Sequence, residues 1–282
     1  MENNIELLIG VAITNKEWEL HKFELKSSIN NLRSVFGEGC IAYVVIQDES
    51  FTEQLFYQTE EEWLYISRVK MLGVSNARNM CIEKSIELKT TFLIFHDATI
   101  YWSIQASEFI HKYRFCRETP KVNIIFDSPK IVGVESKVGN DIAVVKADPV
   151  YNTYVGSYLL RVENLKNLRF DTNYGPGVNT RYKSGEDVIF LFDYFSENNL
   201  VKVSSDKNVA VYHPPRPTDY SKHLLYAYGQ GALFRTLMKK HLSTKIIVDC
   251  ILFFGNAVFR CVLLKKNSLA ILLNRLKGFI GV

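Results

Sequence analysis

Two kinds of hydrophobic pattern alternate along the first hundred residues. Continuous apolar runs within Ile5–Ile13, Cys40–Ser50 and Thr91–Asp97 are typical of strands that are buried on both faces of a sheet. Between these runs, Lys22–Phe36 and Val74–Leu88 indicate helices. The order strand-helix-strand-helix-strand predicts an α/β fold, with a parallel sheet and right-handed crossovers.

Polar residues stand where each of these predicted strands ends. They are Thr14 and Asn15 after the first strand, Asp48–Ser50 at the end of the second, and Asp97–Thr99 at the end of the third. In parallel α/β sheets, ligands bind outside the carboxyl ends of the strands. We therefore expect these residues to line one crevice.

A crevice with two aspartates suits a nucleotide that carries a diphosphate. Asp48 can accept the imide N–H of a uracil base, and Asp97 can hold a divalent cation that neutralises the diphosphate. Arg78, at the start of the second helix, offers a planar guanidinium to a phosphate or to the base. The alternative is that each aspartate is only a turn residue or a helix cap, which is the commoner role after a strand.

Composition excludes several classes of protein. The 282 residues are enough for one large domain or two fused lobes, and the net charge of +4 is too small for a general nucleic-acid binder. The five cysteines form no C-x-x-C pair, which indicates buried thiols in a reducing compartment and no zinc site. The N-terminal residues lack the pattern of a secretory signal, so a cytoplasmic location is expected.

The middle of the chain is less regular. Strands are indicated within Lys121–Ser136 and Asp141–Ala147, and Ser157–Leu168 begins as a strand and continues as a helix. The segment Phe170–Asp187 is polar and rich in glycine, which predicts a long loop before a helix at Glu186–Asn199. Long loops in compact domains are often functional, so its Gly-Pro-Gly turn is either a lid over a ligand or a surface turn.

The last part of the chain predicts helices with a strongly apolar character. The run Ile246–Leu264 approaches the length that spans a membrane, but it contains Asp249, Asn256 and Arg260, which are costly at a bilayer centre. A helix that lies in the membrane interface fits better, because basic residues flank the run. These are Lys239, Lys240, Lys245, Lys265, Lys266, Arg275 and Lys277. The alternative is a set of ordinary core helices packed on the sheet.

The order of several short motifs resembles glycosyltransferase family 2. The motifs are "AITNKE" after the first strand, "QDES" after the second, "VSNARN" at the start of the second helix, "DAT" after the third strand, "SGED" at Ser184–Asp187 and "VYHPP" at Val211–Pro215. The resemblance covers roughly residues 5–215, and "SNARN" together with "SGED" is its most specific part. It implies the GT-A fold, which is Rossmann-like, with a mixed, mostly parallel sheet flanked by helices, here followed by amphipathic C-terminal helices.

The resemblance also implies roles for the matching residues. Asp187 would be the base that takes a proton from the acceptor hydroxyl, and Glu186 would orient the acceptor or the base. The donor nucleotide sugar would be bound by Thr14, Asn15, Asp48, Arg78 and Asp97. An inverting transfer by direct displacement needs no covalent intermediate, and so no Ser, Cys or His nucleophile.

The metal motif departs from the family pattern. Thr99 stands where the second acidic residue of Asp-x-Asp is expected, and a hydroxyl is a poor replacement for a carboxylate. Three readings stay open for a Mn²⁺ or Mg²⁺ ion: Asp97 holds it with the diphosphate and water, His213 helps, or the reaction depends little on metal. His96 is expected to be a partly buried structural histidine.

The sequence therefore predicts an inverting hexosyltransferase that uses a nucleotide sugar, most simply a UDP-sugar. By analogy, its acceptor would be a polyprenyl-diphosphate-linked saccharide at the inner face of the cell membrane, in O-antigen or capsule assembly. The expected division is a nucleotide-sugar part at 1–100, an acceptor-binding and catalytic part of the same domain at 101–218, and a membrane-associating helical region at 219–282.

Two other functions stay open from the sequence. A sugar-nucleotide nucleotidyltransferase would need an N-terminal glycine-rich phosphate loop, which Val11–Leu20 does not contain. A non-catalytic scaffold with the same fold is favoured by Thr99 but not by the intact Arg78 and Asp187.

Overall fold

The computed structural model describes residues 5–127, 142–215 and 221–282. Its strands are β1 (Leu7–Thr14), β2 (Cys40–Asp48), β3 (Leu55–Gln58), β4 (Leu64–Lys70), β5 (Phe92–His96), β6 (Tyr101–Trp102), β7 (Thr119–Pro120), β8 (Asn123–Phe126), β9 (Ala143–Lys146), β10 (Leu160–Arg161), β11 (Lys202–Ser205) and β12 (Ala210–His213). Its α-helices are α1 (Asn15–Phe36), α2 (Val74–Glu87), α3 (Ile104–Tyr113), α4 (Glu186–Glu197), α5 (Ser221–Lys240), α6 (Thr244–Val262) and α7 (Ser268–Ile280).

A six-stranded sheet forms the centre, with the strand order β10-β5-β1-β2-β4-β3. Strand β1 pairs in parallel with β2 and β5, and β2 pairs in parallel with β4. The two edge strands, β3 and β10, run antiparallel to their neighbours. Helices cover the sheet, so the predicted α/β fold with a mixed, mostly parallel sheet is confirmed.

The first two strands are apolar up to their polar carboxyl ends because both faces of the sheet are buried. On β1, Ile9 and Val11 belong to the core cluster on one face, which includes residues of α1 and α3, whereas Leu8 belongs to the cluster on the other. On β2, Val44 and Val45 divide between the same two clusters. A strand buried on both faces needs apolar residues at every position, which explains the continuous runs in the sequence.

Helix α1 begins earlier than the apolar spacing predicts, at Asn15 rather than Lys22. Thr14 caps it: its hydroxyl oxygen accepts the backbone N–H of Glu17 at 3.2 Å, and the Glu17 carboxylate accepts the backbone N–H of Thr14 at 3.0 Å. This reciprocal capping box satisfies two donors that would otherwise have no partner. The helix therefore starts directly at the carboxyl end of β1.

Two small sheets complete this part of the chain, with the orders β7-β11-β9 and β6-β12-β8. The strand predicted within Asp141–Ala147 is β9, and β8 lies within Lys121–Ser136. Residues 128–136 of the second range lie outside the described residues. Strand β12 ends at His213, beside β8.

The C-terminal helices pack against each other through glycines. A Cβ atom on Gly231 of α5 would collide with the backbone of Arg275 on α7, and one on Gly278 of α7 would collide with the backbone of Tyr228. Glycine is required here because the two helix backbones approach so closely. Helix α5 also reaches the loop before α4, where a Cβ on Gly229 would meet Ser184.

Helices α6 and α7 leave many large apolar side chains exposed. They are Ile247, Val248, Ile251, Leu252, Val258, Phe259 and Val262 on α6, Leu263 and Leu264 just after it, and Leu269, Leu273, Leu276 and Ile280 on α7. Within the described ranges, no helix is both long enough and apolar enough to cross a membrane.

Candidate active site

A buried arginine gathers three carboxylates at the carboxyl edge of the sheet. The guanidinium of Arg78 lies 3.2 Å from Asp97 Oδ1 and 3.8 Å from Glu186 Oε1, and it also pairs with Asp187 Oδ1. The arginine comes from α2, Asp97 follows β5, and Glu186 and Asp187 open α4. We call these four residues the carboxylate cluster. It brings together the two motifs that carry the family resemblance.

The cluster holds more negative than positive charge in a buried place. Burial alone would lower the pKa of Arg78, but the charges of Asp187, Asp97 and Glu186 outweigh it and raise that pKa. Burial raises the pKa of Glu186 to about 7, and the nearby Asp187 charge adds to the effect while Arg78 opposes it. Burial likewise raises the pKa of Asp187, against the pull of Arg78. The cluster can therefore exchange a proton near neutral pH.

Local backbone geometry fixes the position of Asp187. Gly185 has a φ of 106°, a left-handed conformation that favours glycine, and it turns the chain into α4. The Asp187 Oδ2 atom accepts the backbone N–H of Val155 at 3.2 Å. A carboxylate in the first turn of a helix is also stabilised by the helix dipole. The side chain is thus held by the Val155 N–H and by Arg78.

Three cavities meet at Asp187, which lines all of them. The strand-end cavity, of about 420 Å³, is lined by residues that include Thr14, Gln47, Arg78, Asp97 and Thr99. The side cavity, of about 380 Å³, is lined by residues that include Asp97, Lys121, Asn123, Tyr154 and His213. The helix cavity, of about 730 Å³, is lined by residues that include Glu186, Tyr226, Gln230, Phe253 and Asn256. Asp187 thus lies where molecules bound in the three cavities could react with one another.

Two of the predicted nucleotide-binding residues lie outside the strand-end cavity. The Asp48 carboxylate accepts the N–H and O–H of Ser50, at 2.9 and 2.7 Å, and these hydrogen bonds lower its pKa. Asn15 Oδ1 lies 3.4 Å from Arg68 Nη1. Neither residue lines the strand-end cavity, and a contact of Asn15 with the nucleotide stays a prediction. A role for Asp48 in reading a base stays a prediction.

The structure also changes the expected surroundings of Arg78. The sequence predicts a guanidinium that faces a phosphate or a base, whereas the side chain is 5% exposed and faces carboxylates. Thr14 does line the strand-end cavity, but its hydroxyl caps α1. The residue before Asp48, Gln47, lines the cavity in its place, with Oε1 held by the N–H groups of Leu72 and Gly73.

Two solved structures have a fold similar to that of this chain over nearly its whole length. The crystal structure of S. aureus TarS 1–349 matches with a TM-score of 0.58 and 16% identity, covering 98% of this chain and 80% of that one. The crystal structure of the same segment in complex with UDP-GlcNAc gives the same values. The chain has a GT-A-like glycosyltransferase fold. No protein-family model matches the sequence, and no curated protein does.

In this GT-A-like fold, a buried histidine fixes the backbone next to Asp97. His96 Nδ1 lies 2.7 Å from the Asp97 carbonyl oxygen, which can only accept, so Nδ1 carries the proton. Its Nε2 then accepts the Ser28 hydroxyl at 2.8 Å, and Ser28 in turn accepts the N–H of Trp102 at 2.8 Å. Burial lowers the pKa of His96 to about 4. His96 is therefore the neutral, structural histidine that the sequence predicts.

The described residues do not form a complete metal site. Asp97 and His213 line the side cavity, and His213 Nδ1 donates to the Pro214 carbonyl at 2.8 Å, which leaves Nε2 as its metal-binding atom. In the part of the chain that the structure describes, no group of three or more His, Cys, Asp or Glu side chains is arranged to hold a metal ion. The Asp97 carboxylate is also engaged by Arg78. The requirement for Mn²⁺ or Mg²⁺ stays a prediction.

The glycine-rich loop before α4 is held against the start of α2. The Pro176 carbonyl accepts the N–H of Val74 at 3.0 Å, and Lys183 Nζ donates to the carbonyls of Gly177 and Thr180 at 2.6 and 2.8 Å. Pro176 and Gly177 line the strand-end cavity. The loop thus forms one wall of the cavity, and its movement as a lid stays a prediction.

Sequence reasoning missed several residues that line the cavities. Gln47 precedes Asp48, the residue that the sequence predicts as the base reader, and Tyr226 lies in the region that the sequence predicts to associate with the membrane. Tyr154 lines the side cavity with a buried hydroxyl. Lys121 lines the side cavity and directly precedes an apolar run. Its charge at the edge of that run is the feature of the sequence that could have indicated it.

Proposed function

We propose that this chain is an inverting glycosyltransferase that moves a hexose from a UDP-sugar to a lipid-linked saccharide. The observation that carries the proposal is the meeting of three cavities at Asp187, beside Glu186 and Asp97, in a GT-A-like fold. A UDP-sugar donor is supported by the TarS structure in complex with UDP-GlcNAc, a protein that this chain resembles.

The donor would occupy the strand-end cavity, with its sugar directed toward Asp187. This cavity lies at the carboxyl ends of parallel strands, where α/β folds bind nucleotides. The uridine would lie near Thr14 and Gln47, and the diphosphate near Asp97, because Asp97 also borders the side cavity. Such a path places the anomeric carbon of the sugar between the diphosphate and the base.

The chemistry requires one base and one leaving group. The acceptor oxygen attacks the anomeric carbon, the bond from that carbon to the diphosphate oxygen breaks, and UDP leaves with the bonding electrons. Asp187 takes the proton of the attacking hydroxyl, and its raised pKa makes it a stronger base than an exposed aspartate. Attack opposite the leaving group inverts the configuration. Glu186 orients the acceptor hydroxyl and the base from the adjacent position.

The helix cavity would hold the acceptor. It combines apolar walls from Leu233, Phe234 and Phe253 with the amides of Gln230 and Asn256, a mixture that suits a sugar with apolar ring faces and polar hydroxyls. It opens against α6, whose exposed apolar side chains and following lysines fit a membrane interface. We therefore propose a polyprenyl-diphosphate-linked acceptor at the inner face of the cell membrane, in O-antigen or capsule assembly.

Transfer assays with a panel of UDP-sugars and a polyprenyl-diphosphate-linked saccharide test this function. We expect Asp187→Asn to lower the turnover about 10²–10⁴-fold, because the amide cannot accept the proton, while UDP still binds. Glu186→Gln is the matched variant one residue away and should lose less. Full transfer by Asp187→Asn would remove it as the base, and a larger loss in Glu186→Gln would exchange the two roles.

A non-catalytic scaffold is the second candidate, because Thr99 replaces a carboxylate and the described residues form no complete metal site. Calorimetric titration with UDP, with and without Mn²⁺, separates the two. Binding in either condition supports the enzyme, and binding in neither supports the scaffold.

A further inference from the structure

A buried lysine faces the side cavity without a carboxylate partner. Lys121 follows β7 and is 7% exposed, and it lines the cavity together with Asp97, Asp187 and His213. Across residues 5–127, 142–215 and 221–282, no Asp or Glu forms an ion pair with it. A buried charge without a partner is costly. The fold therefore keeps a cation here at some cost in stability.

The backbone around this lysine is well anchored, so its side chain is held near the cavity. The N–H of Lys121 donates to the Ser204 carbonyl at 2.9 Å, and Lys121 forms a β-bridge with Tyr158. Burial lowers the pKa of Lys121, with no opposing contribution from a carboxylate. An anion from outside the protein would supply the missing partner.

The position of the side cavity indicates which anion this is. The cavity shares Asp97 and Asp187 with the strand-end cavity, so it adjoins the path from the nucleotide to the reacting carbon. The motif beside it has Thr99 in place of a metal-binding carboxylate. A leaving diphosphate needs positive charge, and a fixed ammonium can supply what a metal ion supplies elsewhere.

We propose that the Lys121 ammonium binds the β-phosphate of the nucleotide-sugar donor and stabilises it as the leaving group. The ammonium keeps its proton, and the bond between the anomeric carbon and the β-phosphate oxygen is the one that breaks. This inference rests on the proposed function, because it requires a nucleoside diphosphate donor. A carboxylate on the donor sugar is the other source of an anion at this place.

Calorimetry in the presence of EDTA, with UDP and UMP as ligands, tests the proposal. We expect Lys121→Met to weaken UDP binding about tenfold or more and to change UMP binding less than about twofold, because UMP has no β-phosphate. Lys121→Arg should recover part of the loss. Lys146→Met, on the exposed strand β9, is the matched control and should bind both nucleotides like the wild type.

Thermal unfolding of the same proteins separates a ligand contact from a structural role. Lys121→Met removes an unpaired buried charge, so we expect its Tm without ligand to stay the same or rise. A lower Tm together with equal weakening of UDP and UMP would make Lys121 structural and overturn the proposal.

Two further outcomes also overturn it. Unchanged UDP binding by Lys121→Met, with wild-type protein that binds UDP, leaves the proposed function intact and removes this role of the lysine. A loss confined to UDP-glucuronate, compared with UDP-glucose, assigns the lysine to a sugar carboxylate instead. Wild-type protein that binds neither UDP nor a UDP-sugar, either in EDTA or with Mn²⁺, would contradict the proposed function itself.

Discussion

The sheet lobe (described residues 5–215) and the C-terminal helices α5–α7 are both rich in apolar residues but use them differently. In the sheet lobe, Leu8, Val11 and Val44 are fully buried, whereas Phe259 on α6 is 60% exposed and Leu264 after it is 90% exposed. Apolar residues in the first region build a core. Those in the second stay exposed and can contact a surface outside the chain. The first region therefore holds the candidate site, and the second offers an apolar surface to a partner or a membrane.

One group of ion pairs in the sheet lobe and one pair of the C-terminal helices differ in burial as well. The sheet lobe concentrates its buried charge around Arg78, whose side chain is 5% exposed, whereas Lys240 of α5 pairs with Asp193 while 48% exposed. A buried ion pair is costly to break because the remaining charge has no water around it, and an exposed pair contributes little. The comparison therefore predicts that loss of Arg78 destabilises the fold more than loss of Lys240.

The two regions nevertheless meet at the candidate base. The Ser184 hydroxyl, two residues before Glu186, donates to the Tyr226 carbonyl of α5 at 3.0 Å. The Tyr174 hydroxyl of the glycine-rich loop lies 2.8 Å from Thr236 Oγ1. Helix α5 thus supports the loop that positions Asp187. Helices α6 and α7 carry most of the exposed apolar side chains, so support of the site and exposure of apolar surface are divided among the three helices.

The largest effect is expected from Arg78→Ala. It removes the cation of the carboxylate cluster and leaves three partly buried carboxylates close to one another, so the free energy of unfolding should fall by about 3–5 kcal/mol. Lys240→Ala is the matched variant in the C-terminal helices and should cost less than about 1 kcal/mol. Urea denaturation of both variants measures the difference, and equal losses would end the contrast between the two regions.

The second effect comes from His96, which is buried in the sheet lobe with a pKa of about 4. Its unfolded value is about 6.5, so the unfolded chain binds more protons between these values. Stability from this residue is therefore lost as the pH falls from about 6.5 to about 4, by roughly 3 kcal/mol in total. Denaturation at pH 7 and pH 4.5 should show a smaller pH dependence for His96→Gln than for the wild type.

Protonation of Glu186 changes the free energy of unfolding in the opposite direction to protonation of His96. The test therefore compares the pH dependence of His96→Gln with that of the wild type. Its folded pKa of about 7 lies above the ordinary value, and it therefore stabilises the fold as the pH falls. His21→Gln, on α1, is the control and should keep the wild-type pH dependence. If His96→Gln also keeps it, the histidine is not the buried neutral group described above.

Much of the sheet lobe could be predicted because its signals are local. Strands buried on both faces are apolar at every position, and "SNARN" and "SGED" marked three members of the carboxylate cluster, Arg78, Glu186 and Asp187. The early start of α1 had a local signal too, the Thr-x-x-Glu capping box at Thr14–Glu17, which the apolar spacing does not include.

Other features depend on which segments meet in space. The partner of Arg78 is Asp187, 109 residues away, so no local pattern shows that its guanidinium is occupied. The Asp48 carboxylate accepts two hydrogen bonds from Ser50, and its position at a strand end does not show whether it binds such a neighbour or a ligand. Exposure of α6 likewise depends on how α5 and α7 cross, which is set by Gly231 and Gly278.

The smallest effect concerns attachment of the C-terminal helices to lipid. Phe259→Ser and Leu264→Ser each remove an exposed apolar side chain, so each should weaken binding to vesicles with anionic lipid by about tenfold and change the free energy of unfolding by less than about 0.5 kcal/mol. Leu20→Ser and Phe23→Ser are matched controls, since these α1 residues are 61% and 76% exposed on the sheet lobe. Vesicle sedimentation measures the binding.

The α1 variants show whether vesicle binding depends on any exposed apolar side chain or on those of the C-terminal helices. If the α1 variants lose vesicle binding as much as the α6 variants do, attachment reflects general hydrophobicity, and the two regions do not differ in this respect. If wild-type protein does not sediment with vesicles, sedimentation velocity becomes the informative measurement. A dimer that Phe259→Ser dissociates would then assign the apolar side chains of α6 to a second copy of the chain, because the same surface cannot be covered by both protein and lipid.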